Sequence, residues 1–281
     1  MSNIKVAVVT GGNKGIGYAI VKELCEKFRG IVYLTARDSG RGLAAVAELN
    51  KLGFKPEFHQ LDITDKKSIS TFAEHVKSKH GGIDVLVNNA AVALEPTTYK
   101  IGEESFSKRA EMTVAVNYFA QVDVCEALFP LLRPHARVVN LSSSCGLLCN
   151  IPSPELRKRF KDPNLTISQL NILMKEFVQA AAERKNEEVG WGTNAYNVSK
   201  VGLSALTFAQ QRQFDTDPRP GLIVNCVHPG YVNTDMTGYK GHRTIEQGAD
   251  APVYLALLPD TCDVPKGQFV TYNRDVVVWA T

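Results

Sequence analysis

The chain has 281 residues, 44% apolar and 22% charged, a composition that can fill the core of one large α/β domain and excludes a disordered or low-complexity chain. Its formal net charge is only +3, and the longest basic cluster, Arg157-Lys158-Arg159 with Lys161, is flanked by acids, which argues for a solvated helix face and against a nucleic-acid surface. The six cysteines, Cys25, Cys125, Cys145, Cys149, Cys226 and Cys262, make no zinc-like repeat beyond an isolated Cys145-x-x-x-Cys149, so free thiols and no metal are expected.

Ile4 to Val9 is a valine-rich run that reads as a strand, and it feeds directly into Thr10-Gly11-Gly12-Asn13-Lys14-Gly15-Ile16-Gly17. Ala19, Ile20, Leu24 and Phe28 then recur at helical spacing. Strand, glycine loop and helix in this order suit a dinucleotide. Glycines allow a tight turn and close backbone approach, and the helix start offers unpaired N–H groups and a positive dipole end to a pyrophosphate. The spacing is T-G-x-x-x-G-x-G and not G-x-G-x-x-G, and a glycine-rich turn without a ligand is the plain alternative. The second strand, Ile31 to Thr35, ends in Ala36-Arg37-Asp38. A carboxylate at this tip accepts from the ribose 2′-hydroxyl of NAD, whereas a cation accommodates the 2′-phosphate of NADP. Arg37 comes first and Lys14 adds a second cation, so NADP(H) is expected over NAD(H); Asp38 keeps the other choice open.

Further along, Asp62 follows the third strand, Asn88-Asn89-Ala90 the fourth, Asn117 falls in a helical stretch, and Asn140-Leu141-Ser142-Ser143 follows the fifth strand. Residues from about 150 to 192 carry helix signals of their own. Ser153-Pro154 pairs an N-cap with proline at the first helical position, and Thr166-Ile167-Ser168-Gln169 has the form of a capping box. Leu170, Leu173, Met174, Phe177, Val178 and Ala181 then fall on one stripe, which predicts a helix packed on its own domain. In Y-N-V-S-K, Tyr196 and Lys200 stand one helical turn apart, so both side chains share a face. A fixed ammonium beside a phenol favours the phenolate and is expected to lower the pKa of Tyr196, so the pair can shuttle a proton. Taken alone, this spacing also fits an ordinary surface helix pair. After the sixth strand comes Pro229-Gly230-Tyr231-Val232-Asn233-Thr234.

Taken together, these motifs resemble the short-chain dehydrogenase/reductase family over nearly the whole chain. The resemblance implies a single doubly wound Rossmann-type α/β domain over residues 1–281, with a parallel sheet of about seven strands and a helical insertion before the catalytic tyrosine. It implies Asn117, Ser143, Tyr196 and Lys200 as catalytic residues, with Asn117 holding a water that reloads the proton. It also implies a cofactor site made of Gly11, Asn13, Lys14, Gly15, Ile16, Gly17, Arg37, Asp62, Ile63, Asn89, Tyr196, Lys200, Pro229, Gly230, Val232 and Thr234. One departure is Ala91, where the family's Asn-Asn-Ala-Gly ends in glycine; the methyl fits if the backbone there needs no positive φ. Within the family the likeness is strongest to the NADPH-dependent carbonyl reductases, on Gly12-Asn13-Lys14-Gly15-Ile16-Gly17, Leu34-Thr35-Ala36-Arg37-Asp38, Phe58-His59-Gln60-Leu61-Asp62 and Pro252-Val253-Tyr254-Leu255-Ala256-Leu257-Leu258-Pro259. The insertion they share covers the face through which many relatives assemble, which implies a monomer.

The expected reaction is reduction of ketones, aldehydes or quinones by hydride from NADPH, with Tyr196 as general acid. Ser143, Cys145, Trp191, Tyr196 and Tyr231 are expected to contact the substrate, and His228, which ends a strand, is not expected to act as base. A reductase or dehydrogenase dedicated to a steroid or pteridine carbonyl is the first alternative, and a non-enzymatic NADP(H)-sensing protein the second. The amino end is polar and its apolar run too short for a signal peptide, and no lipidation signal closes the chain, so a soluble cytoplasmic protein without a membrane partner is expected.

Overall fold

Short apolar runs that alternate with amphipathic segments favour parallel pairing, because a parallel return to the same sheet requires a crossover and a helix supplies it. The computed structural model, which describes residues 4–94 and 105–280, has this form. Its strands are β1 (Lys5–Val9), β2 (Gly30–Ala36), β3 (Glu57–Gln60), β4 (Ile83–Asn88), β5 (Leu132–Leu141), β6 (Ile223–Val227), β7 (Phe269–Val270) and β8 (Val276–Val277). They form one sheet in the order β3-β2-β1-β4-β5-β6-β7-β8. All neighbours run parallel except β8, which lies antiparallel on β7. The seven expected strands are therefore present, and the eighth is a two-residue return too short to leave a period in the sequence.

Strand alternation divides the core. Ala7 and Val9 of β1 face a cluster with Ile20 and Leu24 of α1 (Gly15–Lys27), Leu49 of α2 (Ser39–Lys51) and Leu255 of α9 (Ile245–Ala256). Val6 and Val8 face the other way, toward Phe72 and Val76 of α3 (Lys66–His80) and Val124 and Leu128 of α5 (Ala120–Leu128). Both faces are covered, which is why the strands read as continuous apolar runs. The strand order reverses beside β1, between β2 and β4, and opens the crevice at the carboxyl ends where ligands of such sheets sit.

The insertion folds as its caps predict. Ser153 Oγ accepts from Leu156 N at 3.2 Å to start α6 (Pro154–Phe160), and Thr166 and Gln169 close a reciprocal capping box at α7 (Ile167–Ala182). Leu170, Leu173, Met174, Phe177 and Ala181 are buried, and Val178 is half-buried. They pack on Ala110 and Val114 of α4 (Phe106–Val114) and on Val198, Val201 and Ala205 of α8 (Ala195–Asp215), so the stripe is covered by its own chain.

Candidate active site

The glycine loop is tied to the end of β4. Thr10 Oγ1 accepts from Asn89 N and Ala90 N, each at 3.0 Å, and Asn89 Nδ2 donates to the carbonyls of Thr10 (2.8 Å) and Gly11 (3.1 Å). Gly11 and Gly15 adopt positive φ, +64° and +57°, and a Cβ at Gly17 would run into Asn89 Nδ2 and the Gly11 carbonyl. Ala91 has no positive φ, so its methyl is accommodated. The start of α1 differs from those of the other α-helices except α5, which also lacks a side-chain cap but runs on directly from a preceding helical turn. α2, α3, α4, α6, α7, α8 and α9 each begin on a side-chain acceptor, from Asp38, Asp65, Ser105, Ser153, Thr166, Asn194 and Thr244. α1 begins on Lys14 in extended backbone with no side-chain cap, which leaves its first-turn N–H groups for an anion. This cradle fits a dinucleotide pyrophosphate.

At the tip of β2, Arg37 is exposed and has no carboxylate partner among the described residues. Asp38 is committed elsewhere: its Oδ1 accepts from Arg41 N at 2.8 Å and caps α2. No motif marks Arg41, but its place in the first turn of the helix that follows Arg37 adds a cation to this corner. Lys14 Nζ pairs with Asp235 Oδ2 at 2.6 Å, joining the glycine loop to the segment after β6, and the Tyr239 hydroxyl donates to the same carboxylate. Asp62 Oδ1 accepts from Thr64 N (2.9 Å) and Thr64 Oγ1 (2.7 Å) just beyond β3, while Ile63 is buried in the core beneath. Asn13 and Ile16 are half-buried in the loop. On the opposite wall Pro229 is buried, Gly230 has φ +87°, Val232 packs on Gly248, and Thr234 lies against Gly15. The loop residues read from the sequence thus follow the carboxyl ends of β1, β2, β3, β4 and β6.

The chemistry-bearing side chains meet at the end of β5. Ser142 turns into the core, where its Oγ lies 2.8 Å from Ser204 Oγ. Ser143 Oγ accepts from Cys145 N at 3.2 Å and lies close enough to the Tyr196 phenol to favour its ionised form. Asn194 caps α8 by accepting from Asn197 N at 2.8 Å, which sets Tyr196 in the first turn and Lys200 one turn on. Lys200 is buried; its Nζ donates to the Leu141 carbonyl at 2.7 Å and stands 5.6 Å from the centre of the Tyr196 ring. Burial dominates both titrations. It holds the Tyr196 phenol above its ordinary pKa, the nearby Cys145 adds to this, and the Ser143 hydroxyl offsets part; it brings the Lys200 ammonium down to about 8. The expected lowering of Tyr196 by Lys200 is therefore corrected: desolvation raises the phenol of this half-buried residue.

Asn117 sits in a π-helical turn, Ala115–Phe119, between α4 and α5. Its amide accepts from Val92 N (2.8 Å) and donates to Val92 O (2.8 Å) and Ser199 Oγ (3.0 Å). Both amide hydrogens are committed, so the expected water-holding part does not fall to them. Among the expected substrate contacts, Cys145 is half-buried beside Ser143 and Tyr231 is 45% exposed against His242. Trp191 is corrected: it is only 3% exposed and packs on Phe160 and Phe177, with ring centres at 6.1 and 5.5 Å, inside the insertion's own core. His228 follows β6 with Nδ1 accepting from Gly230 N at 3.1 Å.

A family model described as short chain dehydrogenase matches residues 5–153. Carbonyl reductase (NADPH) 1 of Sus scrofa is 44% identical over 284 residues, covering 99% of this chain and 95% of that protein. Carbonyl reductase (NADPH) 3 of Rattus norvegicus is 45% identical over 280 residues, covering 98% and 97%. Among solved structures, salutaridine reductase from Papaver somniferum superposes with a TM-score of 0.85 at 33% identity, covering 94% of this chain and 99% of that one.

Proposed function

The chain belongs to the short-chain dehydrogenase/reductase family, and from that premise we propose that it is an NADPH-dependent reductase of ketones, aldehydes and quinones in which Ser143, Tyr196 and Lys200 carry the chemistry. The observation that carries the assignment of residues is the meeting of Ser143, Tyr196 and Lys200 at the end of β5, beside the glycine loop and the start of α1, which no side chain caps.

Gly11, Gly15, Gly17 and the first turn of α1 would hold the pyrophosphate of NADPH, Arg37 and Arg41 its 2′-phosphate, and Lys200 a ribose. When bound, NADPH supplies the hydride. The Ser143 and Tyr196 hydroxyls both donate to the carbonyl oxygen of the substrate, and the Tyr196 proton moves to that oxygen as negative charge develops on it. A raised phenol pKa keeps this proton in place at neutral pH. Lys200, charged below about pH 8, stabilises the phenolate that the transfer leaves behind. Asn117 acts as a positioning residue that ties the segment after β4 to α8 through Val92 and Ser199.

The test is turnover of a panel containing a diketone, an aldehyde, a quinone, a steroid ketone and a pteridine, beside Tyr196→Phe. Removal of the hydroxyl should leave NADPH affinity unchanged and cut single-turnover hydride transfer by ~10² to 10⁴. Tight NADPH binding without turnover of any carbonyl would favour a sensing protein, and turnover confined to the steroid or pteridine would favour a dedicated enzyme. The covered stripe of α7 supports a monomer. No helix among the described residues is long and apolar enough to cross a membrane.

A further inference from the structure

We propose that Trp279, close to the carboxyl end of the chain, is a positioning residue that aims the Ser143 hydroxyl; this rests on the reading of Ser143 as a donor to the substrate carbonyl. After β7 the chain turns back as β8 and delivers Trp279 beneath the turn that follows Ser143. The indole is 8% exposed. Its Nε1–H donates to the Gly146 carbonyl at 2.6 Å, and the Trp279 carbonyl accepts from Leu148 N at 3.1 Å, so one residue grips the turn at two points. The ring lies against Phe208 of α8 with centres 4.9 Å apart. The C-terminal segment is thereby wedged between the Ser143 turn and the helix that carries Tyr196 and Lys200.

The gripped turn is stiff. Gly146 N donates to the Ser143 carbonyl at 2.8 Å, and Cys145 N donates to Ser143 Oγ, so the orientation of the 144–146 peptides sets the rotamer of the serine. A Cβ at Gly146 would run into Ser142 Oγ and come within 2.9 Å of the Lys200 carbonyl, which leaves no room for that peptide to drift toward α8. Its carbonyl is buried, and the indole is its one donor among the described residues. Without the indole N–H this carbonyl must rotate to find another partner, and the turn rotates with it. Trp279 touches neither glycine loop nor Lys200, so the effect falls on the aim of Ser143 and not on cofactor binding.

The test is a double-mutant cycle of Trp279→Phe with Ser143→Ala, read as kcat for a reactive diketone and as the NADPH dissociation constant from cofactor fluorescence. Misplacement of a catalytic group by about 1 Å costs up to ~10²-fold, so Trp279→Phe should lower kcat at least ~10-fold while NADPH affinity stays within about twofold. In the Ser143→Ala background it should lower kcat no further, because the group it aims is gone. An equal loss in both backgrounds, an unchanged kcat in the single variant, or a parallel loss of NADPH affinity would overturn the proposal. A Ser143→Ala protein with undiminished kcat would instead overturn the role of the serine itself. Site-specific replacement of the Trp279 indole by its benzothiophene isostere removes only the N–H and gives the same readings should Trp279→Phe fold poorly.

Discussion

Cofactor preference follows from the corner between β2 and α2. A bound 2′-phosphate brings close to two negative charges at neutral pH, and a hydrogen bond to a charged group contributes about 1.5 to 3 kcal/mol. Arg37 is exposed and has no carboxylate partner among the described residues, and Arg41 stands in the first turn of α2. Lys14 would have to give up Asp235, but a pair that is 60% and 48% exposed is worth only about 0 to 1 kcal/mol. Two such contacts put NADPH ahead of NADH by at least ~100-fold in kcat/KM, and Arg37→Ala should remove ~10- to 100-fold of that ratio. Asp38 separates this account from its rival. As the cap of α2, Asp38→Ala should cost about 0.5 to 2 kcal/mol of stability and leave the cofactor ratio alone. Steady-state kinetics with both cofactors, alongside thermal melts, measure each arm. An unchanged ratio in Arg37→Ala, or a selective loss of NADH use in Asp38→Ala, would refute the reasoning.

Burial of Lys200 predicts a pH limb. Its folded pKa of about 8 lies below the ordinary lysine value, so the ammonium is lost as pH rises through about 8 and the reduction rate should fall there; Lys200→Arg should carry that limb out of range, and a limb left in place would assign it to another group. The same depression makes the unfolded chain the tighter proton binder from about pH 8 up to the ordinary lysine range, so this group's contribution to stability should rise with pH across that window, as denaturant midpoints can show. Light scattering should give a particle of the chain mass, 30.8 kDa, and a stable tetramer at micromolar concentration would mean that α7 does not cover the assembly face. Gly17→Ala should disturb the cradle because the new methyl meets backbone, costing about 1 to 3 kcal/mol of stability and weakening NADPH binding in fluorescence titration.

What the sequence displays about the site is what local chemistry specifies. The glycine loop, the Ser153 and Thr166 caps and the pairing of Tyr196 with Lys200 each depend on residues within a turn or two of one another, and the structure has them as expected. Contacts between distant segments leave no such trace. Lys14 meets Asp235 and Trp279 meets Gly146 only because the segment after β6 and the carboxyl end return to the crevice. Trp191 shows the same limit from the other side. Its place just before the tyrosine suggests a cleft wall, but Phe160 and Phe177, brought over by the insertion, bury it first.

The pKa of Tyr196 depends on a balance that spacing cannot weigh. One helical turn fixes which side chains are neighbours, and a neighbouring ammonium alone lowers a phenol. Whether it does so in the folded protein turns on how much water remains, and that is set by the residues of β5 and α8 that close over the pair. Here Lys200 is buried, with its Nζ drawn to the Leu141 carbonyl, Tyr196 is half-buried, and desolvation lifts the phenol as it depresses the amine. For a reductase this is the useful direction. An acid must hold its proton until the alkoxide forms, and a phenol raised by burial does so across the neutral range, while an amine with a pKa of about 8 keeps most of its charge at pH 7 to meet the phenolate that follows. The oxidation of an alcohol runs the same steps in reverse and starts from the phenolate, so the phenol that holds its proton is the state from which carbonyl reduction begins.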